Sequence, residues 1–184
     1  MSTTTQTLLD AAEERLRLGG FHAVSFRDLA TDLGIKSASV HYHFPKKADL
    51  GVAVVERYAE RFFDDLDARV DAGEAKILAF IAAYRAALTE KNLPCLCGIM
   101  GSEVNGLPEP VQIAVTVFLQ RNVDWLESAF SEAGIDEPRS QALHAAAALQ
   151  GAMLMAANLG GARAFDAVAA EVVSAVRAKI RRAN

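Results

Sequence analysis

The chain has 184 residues, 52% hydrophobic and 23% charged, with a net charge of −4 at pH 7. These values exclude bulk disorder, and two cysteines, five prolines and twelve glycines exclude a disulfide scaffold, a collagen-like chain or low complexity. The length allows one domain, or a small one joined to a larger one, and suffices to fold without metal or disulfide. Aromatics are scarce at 7% while alanine is abundant, which favours packed helices over sheets.

The helices follow in chain order. Leu8, Leu9, Ala12 and Leu16 give a first helix over about 5–18, stopped by Gly19-Gly20. Ser25 opens a second, its hydroxyl placed to accept the Asp28 N–H, with Phe26, Leu29, Ala30 and Leu33 as the buried stripe and Gly34 as the stop. Ser37 or Ser39 caps a very short third helix reaching about Phe44, where Pro45 halts it. Pro45 suits the start of a fourth, over about 46–70, with Leu50, Val54, Tyr58, Phe62 and Leu66 at i+4 spacing. Further helices are expected over about 74–90, 99–105, 109–133, 139–159 and 164–183, with a loop at 91–98 and a break at Gly160-Gly161. The expectation is an all-α chain of about nine helices. A small three-helix domain, residues 1–50, is expected to join a larger helical bundle, residues 51–184.

Two features bear on location. The N-terminus lacks a basic region ahead of an apolar stretch, so no secretion signal is expected and the chain reads as cytoplasmic. Gln141–Ala162 carries no formal charge, but it is rich in alanine and holds Gln141, His144, Gln150 and Asn158. It reads as a helix buried on several faces, so no membrane is expected as a partner.

The strongest constellation is residues 25–50. A helix, a glycine-bearing turn and a short second helix make a helix-turn-helix, whose second helix lies in the major groove of DNA. The window Lys36–Lys47 holds three lysines, two histidines and no carboxylate. Lys36, Ser37, Ala38, Ser39, His41 and Tyr42 are suited to base edges and phosphates, with Ser25 and Arg27 on the helix before. Lys46 and Lys47 stand at a helix start, where ammonium groups and backbone N–H suit a phosphate. From these residues alone, a tight three-helix junction with a solvated basic turn stays open. Leu29, Ala30, Leu33, Ile35, Val40, Phe44 and Leu50 should form the small core. His43 reads as a packed, hydrogen-bonded residue, because His41 and His43 at i, i+2 diverge on a helix and make a poor metal pair.

Residues 6–52 resemble the N-terminal domain of TetR-family transcriptional regulators. The resemblance rests on Gly20-Phe21, Ser25, Leu29-Ala30, Gly34-Ile35 and the string His41-Tyr42-His43-Phe44-Pro45-Lys46-Lys47-Ala48-Asp49-Leu50. His41 stands where the family has a phosphate-contacting tyrosine, with Tyr42 one place later. Cys95–Val111 is similar to a TetR subgroup with a cysteine followed eight residues later by glutamate; Cys95 and Glu103 match, and Cys97 is additional. The resemblance implies a sensor domain, and in some members cysteine-based detection of electrophiles or oxidants. Cys95 and Cys97 are therefore candidate redox residues. As close neighbours they are poorly placed for a relaxed disulfide, and a metal would lack further ligands nearby. As residues alone they also fit packed small hydrophobes.

Phe62, Phe80, Tyr84, Cys95, Met100, Phe118, Trp125 and Met153 are the candidate lining of a pocket for a small apolar effector, which the resemblance makes the expected reading over simple core. The last two helices carry broad apolar faces: Leu143, Ala147, Gln150, Gly151 and Leu154, then Phe165, Val168, Val172, Val176 and Ile180. Two copies would pair these into a four-helix bundle, giving a homodimer, unless the faces are buried within one chain. No metalloprotease, nucleophile-elbow or phosphate-loop motif is present, so no enzyme, cofactor or metal is expected. The expected function is a ligand-responsive repressor of a pseudo-palindromic double-stranded DNA operator, released by a small apolar effector or by thiol modification. The alternative is a helical protein-interaction module that does not bind DNA.

Overall fold

A computed structural model describes residues 3–90, 93–159 and 161–183, apart from the side chains of Glu90, Arg182 and Ala183. Lys91 and Asn92 of the expected 91–98 loop, and Gly160 of the expected break, lie outside the described residues. The elements are α1 (Thr3–Gly19), α2 (Phe26–Asp32), α3 (Ser37–His43), α4 (Lys47–Asp71), α5 (Lys76–Glu90), α6 (Leu96–Ser102), a 3₁₀ turn (Val104–Gly106), α7 (Glu109–Glu132), α8 (Pro138–Leu159) and α9 (Arg163–Ala183). Among the described residues there is no strand.

The second helix starts as its sequence dictates. The Ser25 hydroxyl accepts the Asp28 N–H at 3.1 Å and donates to the Asp28 carboxylate at 2.6 Å. We expect Ser25→Ala to cost about 1 kcal/mol, read as a lower midpoint in thermal denaturation; an unchanged midpoint would show the cap to be idle. Gly34, at φ +62, ends the helix in the left-handed region, and the Ile35 N–H returns to the Ala30 carbonyl at 3.0 Å.

Three boundaries differ from expectation. First, neither serine caps α3. Lys36 is its N-cap, without a side-chain bond, and the backbone closes the first turn through Ser39 N–H to the Lys36 carbonyl at 2.8 Å. Second, α4 starts two residues after Pro45. The Asp49 carboxylate accepts the Lys46 N–H at 2.9 Å, the returning half of a capping box, so Lys46 is the junction. Third, α6 begins at Leu96 rather than Ile99, because Leu96, Cys97 and Met100 form a buried stripe. It gives way at Glu103 (φ −101, ψ 14) to the 3₁₀ turn, so the helix expected to reach Asn105 is two short pieces.

The chain forms two compact units: Met1–Glu60 with Leu96–Phe118, and Arg61–Cys95 with Leu119–Asn184. Helices α4 and α7 each contribute to both. In the first unit Leu8, Leu9, Leu16, Leu29, Val40, Leu50, Val54 and Met100 are buried. Leu33 and Ile35, expected in this core, are only half-buried, since the turn between α2 and α3 lies at the surface. A partly buried ion network ties α1 to α4: Arg57 reaches the exposed Asp10 at 2.8 Å and the buried Glu13 at 3.3 Å, and Arg17 reaches Glu13 at 3.8 Å. Removing Arg57 would leave the buried Glu13 with a weaker counter-charge, so the network helps fix α4 against α1.

In the second unit α8 packs along α9, and α5 packs on both. Helix α8 is long and apolar enough by length and composition to cross a membrane. Its face of Ala142, Ala145, Leu149, Ala152, Met153 and Ala156 is nonetheless buried inside the protein. The apolar stripe of α9 is largely consumed within the chain: Phe165, Val172 and Val176 are buried. The stripe of α8 is not: Leu143, Ala147, Gly151 and Leu154 stay exposed.

Candidate nucleic-acid interface

Helix α3 presents one face to the core and the other to solvent. Val40 is fully buried and Phe44, the C-cap, is nearly so; these hold the helix down. Lys36, Ala38, His41 and Tyr42 are exposed, and Ser37 and Ser39 are half-buried. Arg27 and Lys46 are exposed beside them in sequence, while Lys47 and Ser25 are half-buried. The Ser25 hydroxyl is already committed to its cap.

The two aromatic positions divide clearly. The His41 ring stands edge-on to Phe26 at 4.7 Å, which fixes its plane. Tyr42 is 84% exposed, with its ring at 5.2 Å from that of His43. Tyr42 thus stands open to solvent. His43 Nδ1 lies 3.2 Å from the Thr5 hydroxyl, so this histidine ties α3 to α1.

The lysines also divide. The Lys47 ammonium sits 4.5 Å over the Phe21 ring, a cation–π contact. Burial pushes its pKa below the ordinary lysine value, while the charge of Glu103 pulls the other way. Lys46 has no such engagement of its ammonium and is the more accessible charge.

Glu103 is the residue whose role sequence reasoning missed. Its carboxylate accepts the Phe21 N–H at 2.8 Å, across 82 residues of chain. It also fills the space above Gly20 (φ +77), where an added Cβ would fall 2.0 Å from Oε1. The segment after α6 therefore grips the turn between α1 and α2. Phe21, so gripped, lies under Lys47 and against Gly51 of α4. The eight-residue spacing from Cys95 marks Glu103 as a position, but nothing local in the sequence pairs it with Phe21.

The expected effector lining is only partly gathered. Phe62, Phe80 and Tyr84 form one cluster: Phe62 is 5.8 Å from Phe80 and 5.5 Å from Tyr84, and Phe80 stacks on Tyr84 at 4.7 Å. The Tyr84 hydroxyl donates to Gln150 Oε1 at 3.4 Å. Cys95 and Met153 are buried in the same unit, and Trp125 is half-buried there under the Lys76 ammonium at 5.7 Å. Met100 and Phe118 belong to the first unit, where Phe118 meets Tyr58 at 5.6 Å. Cys95 and Cys97 are buried, at 2% and 0% exposure. Cys97 lies in the first turn of α6 and Cys95 just ahead of it.

An all-helical chain with a short, exposed, carboxylate-free helix after a capped one defines a helix-turn-helix protein. Residues 8–54 match the family model described as bacterial regulatory proteins, tetR family. The chain is 28% identical to a TetR transcriptional regulator from Legionella pneumophila, whose crystal structure superposes with a TM-score of 0.88 over 95% of this chain and 98% of that one. It is 29% identical over 113 residues to the HTH-type transcriptional repressor ComR of Escherichia coli (strain K12), covering 59% of this chain and 54% of that protein. It is 26% identical over 126 residues to the transcriptional regulator AcuR of Cereibacter sphaeroides, covering 65% and 57%. The chain spans about half the length of the curated relatives it matches. The family match covers the first helices of the chain, and the likeness in fold to a TetR regulator of known structure runs over nearly all of it.

Proposed function

We propose that the protein is a homodimeric transcriptional repressor that binds a pseudo-palindromic operator in double-stranded DNA and leaves it when a small apolar effector binds. It acts in the cytoplasm. The observation that carries this reading is α3 itself: Lys36, Ala38, His41 and Tyr42 face solvent on a segment without a carboxylate. A module that only bound protein would have no need to exclude acidic side chains from this exposed helix.

Tyr42, Arg27, Lys36 and Lys46 take the phosphates and base edges, with Ser37 and Ser39 at their margin. Lys47 acts mainly by supporting Phe21. The exposed α8 stripe of Leu143, Ala147, Gly151 and Leu154 supports pairing of two copies through the last two helices. The division into a DNA-binding region, residues 1–50, and a sensing and dimerising region, residues 51–184, is part of the same proposal. The aromatic cluster of Phe62, Phe80 and Tyr84 supports an apolar effector. Burial of Cys95 and Cys97 favours that route over thiol modification, since a reagent would first need α6 to open.

The test is a mobility-shift or anisotropy titration against the DNA upstream of its own gene. Sequence-selective binding that weakens steeply with salt is expected. In that assay Lys46→Ala should weaken binding to all sequences alike and lower the salt slope by about 1 for each phosphate that is no longer neutralised. An unchanged slope means that Lys46 does not touch a phosphate. Absence of any DNA binding by the folded dimer would leave the protein-interaction reading.

A further inference from the structure

Among its described residues, the second unit buries polar atoms of two side chains that the protein itself does not satisfy. Asn122 on α7 is 1% exposed, and neither its Nδ2 nor its Oδ1 has a hydrogen-bond partner. One turn on, the buried Nε1 of Trp125 has none either. Residues three apart share a helix face. Folded proteins pair nearly all such groups, because an unmet buried donor or acceptor is costly. Three such atoms on one face of one helix call for partners from outside the protein, either water or a ligand that displaces it.

The surroundings say what kind. The turn of α7 carrying these residues is bracketed by a contact with α4, Arg121 over the Phe63 ring at 3.8 Å, and one with α5, Lys76 over Trp125. Those same two helices supply Phe62, Phe80 and Tyr84. Among the described residues, the buried charged side chains are Glu13, Arg17 and Arg57, all in the first unit. Of the nearest cations, Lys76 lies over the Trp125 ring but is already paired with Glu132 and Ser128, and Arg121 lies on Phe63. A carboxylate or an amine buried here would lack a counter-charge. A neutral head would not need one.

We propose that Asn122 and Trp125 are the polar anchors of the effector site, and that the effector is an uncharged molecule with an aromatic-sized apolar body and an amide-like head. The Trp125 Nε1–H and Asn122 Nδ2–H donate to its carbonyl oxygen. Asn122 Oδ1 accepts from its N–H. This inference rests on the effector-responsive reading above and adds the chemistry of the ligand to it.

The experiment is thermal denaturation of the full-length protein with three probes of similar shape: benzamide, benzoate and toluene. The Asn122→Leu and Trp125→Phe variants are run in parallel. Without probe, Asn122→Leu should melt higher than wild type, by about 2–4 °C, because it removes an unsatisfied amide at similar volume. Benzamide should raise the wild-type midpoint more than toluene does, and benzoate should leave it unmoved. Both variants should lose the extra shift from benzamide while Asn122→Leu keeps the shift from toluene. A lower melting point for Asn122→Leu overturns the proposal, since Asn122 would then have a partner inside the protein. A benzoate shift equal to that of benzamide overturns the neutral class. Equal benzamide and toluene shifts in all three proteins overturn the anchors but leave the effector site standing. No shift with any probe overturns both.

Discussion

Ala38→Glu should abolish operator binding, with a loss of about a thousandfold in affinity, while the protein folds and dimerises normally. Ala38 is exposed in the first turn of α3, so a larger side chain meets no neighbour. A glutamate in the first turn of a helix also interacts favourably with the helix dipole, so stability should hold or rise slightly. What changes is the sign of the surface. The window Lys36–Lys47 has no carboxylate, and DNA offers a wall of phosphates. Setting like charges together costs several kcal/mol. About 2 kcal/mol in each of two subunits corresponds to the stated factor. Ala38→Gln, of nearly the same shape and uncharged, should retain most of the affinity. Anisotropy titration of the three proteins at one salt concentration decides it. Equal affinity for the glutamate variant would mean that α3 does not face DNA.

The second large effect lies at Gly20. Gly20→Ala should destabilise the protein by about 3 kcal/mol. Part of this is the left-handed backbone at φ +77, about 1–2 kcal/mol for a residue with a Cβ. The rest comes from Glu103. The new Cβ falls where its carboxylate sits, and moving that carboxylate breaks its bond to the Phe21 N–H, a charged hydrogen bond with a net contribution of about 1.5–3 kcal/mol. In a Glu103→Ala background the same substitution should cost only the backbone part. Denaturant unfolding of the four proteins gives the double-mutant cycle. Strict additivity would show that Gly20 and Glu103 do not act together.

How much of this was legible in the sequence depends on the range of the interaction. Ser25, Gly34 and Pro45 act within a few residues of themselves, and each does at its position what local chemistry requires. The all-helical class and the stripes of α1 and α4 follow from periodicity alone. The start of α6 was not legible, because Leu96 and Cys97 sit beside Pro94 in a segment too short to show a period. Leu33 and Ile35 carry the apolar pattern of core residues, yet the turn they flank is at the surface. The Glu103–Phe21 bond spans 82 residues, and the lysine that reads as a phosphate contact, Lys47, is drawn onto an aromatic ring by the same long-range packing. Asn122 is a single polar residue in an apolar helical stripe, a signal that only burial makes meaningful. The α9 stripe shows the converse: its apolar residues are plain in the sequence, but only packing reveals that α8 of the same chain covers them.

The most direct measurement is affinity selection of fragmented genomic DNA on the immobilised full-length protein, followed by sequencing of what is retained. The account predicts a small set of enriched fragments sharing one pseudo-palindromic sequence, its half-sites about one helical turn or a multiple apart, and loss of that enrichment with Ala38→Glu. Fragments retained without a shared sequence, or an enrichment that Ala38→Glu leaves intact, would contradict it.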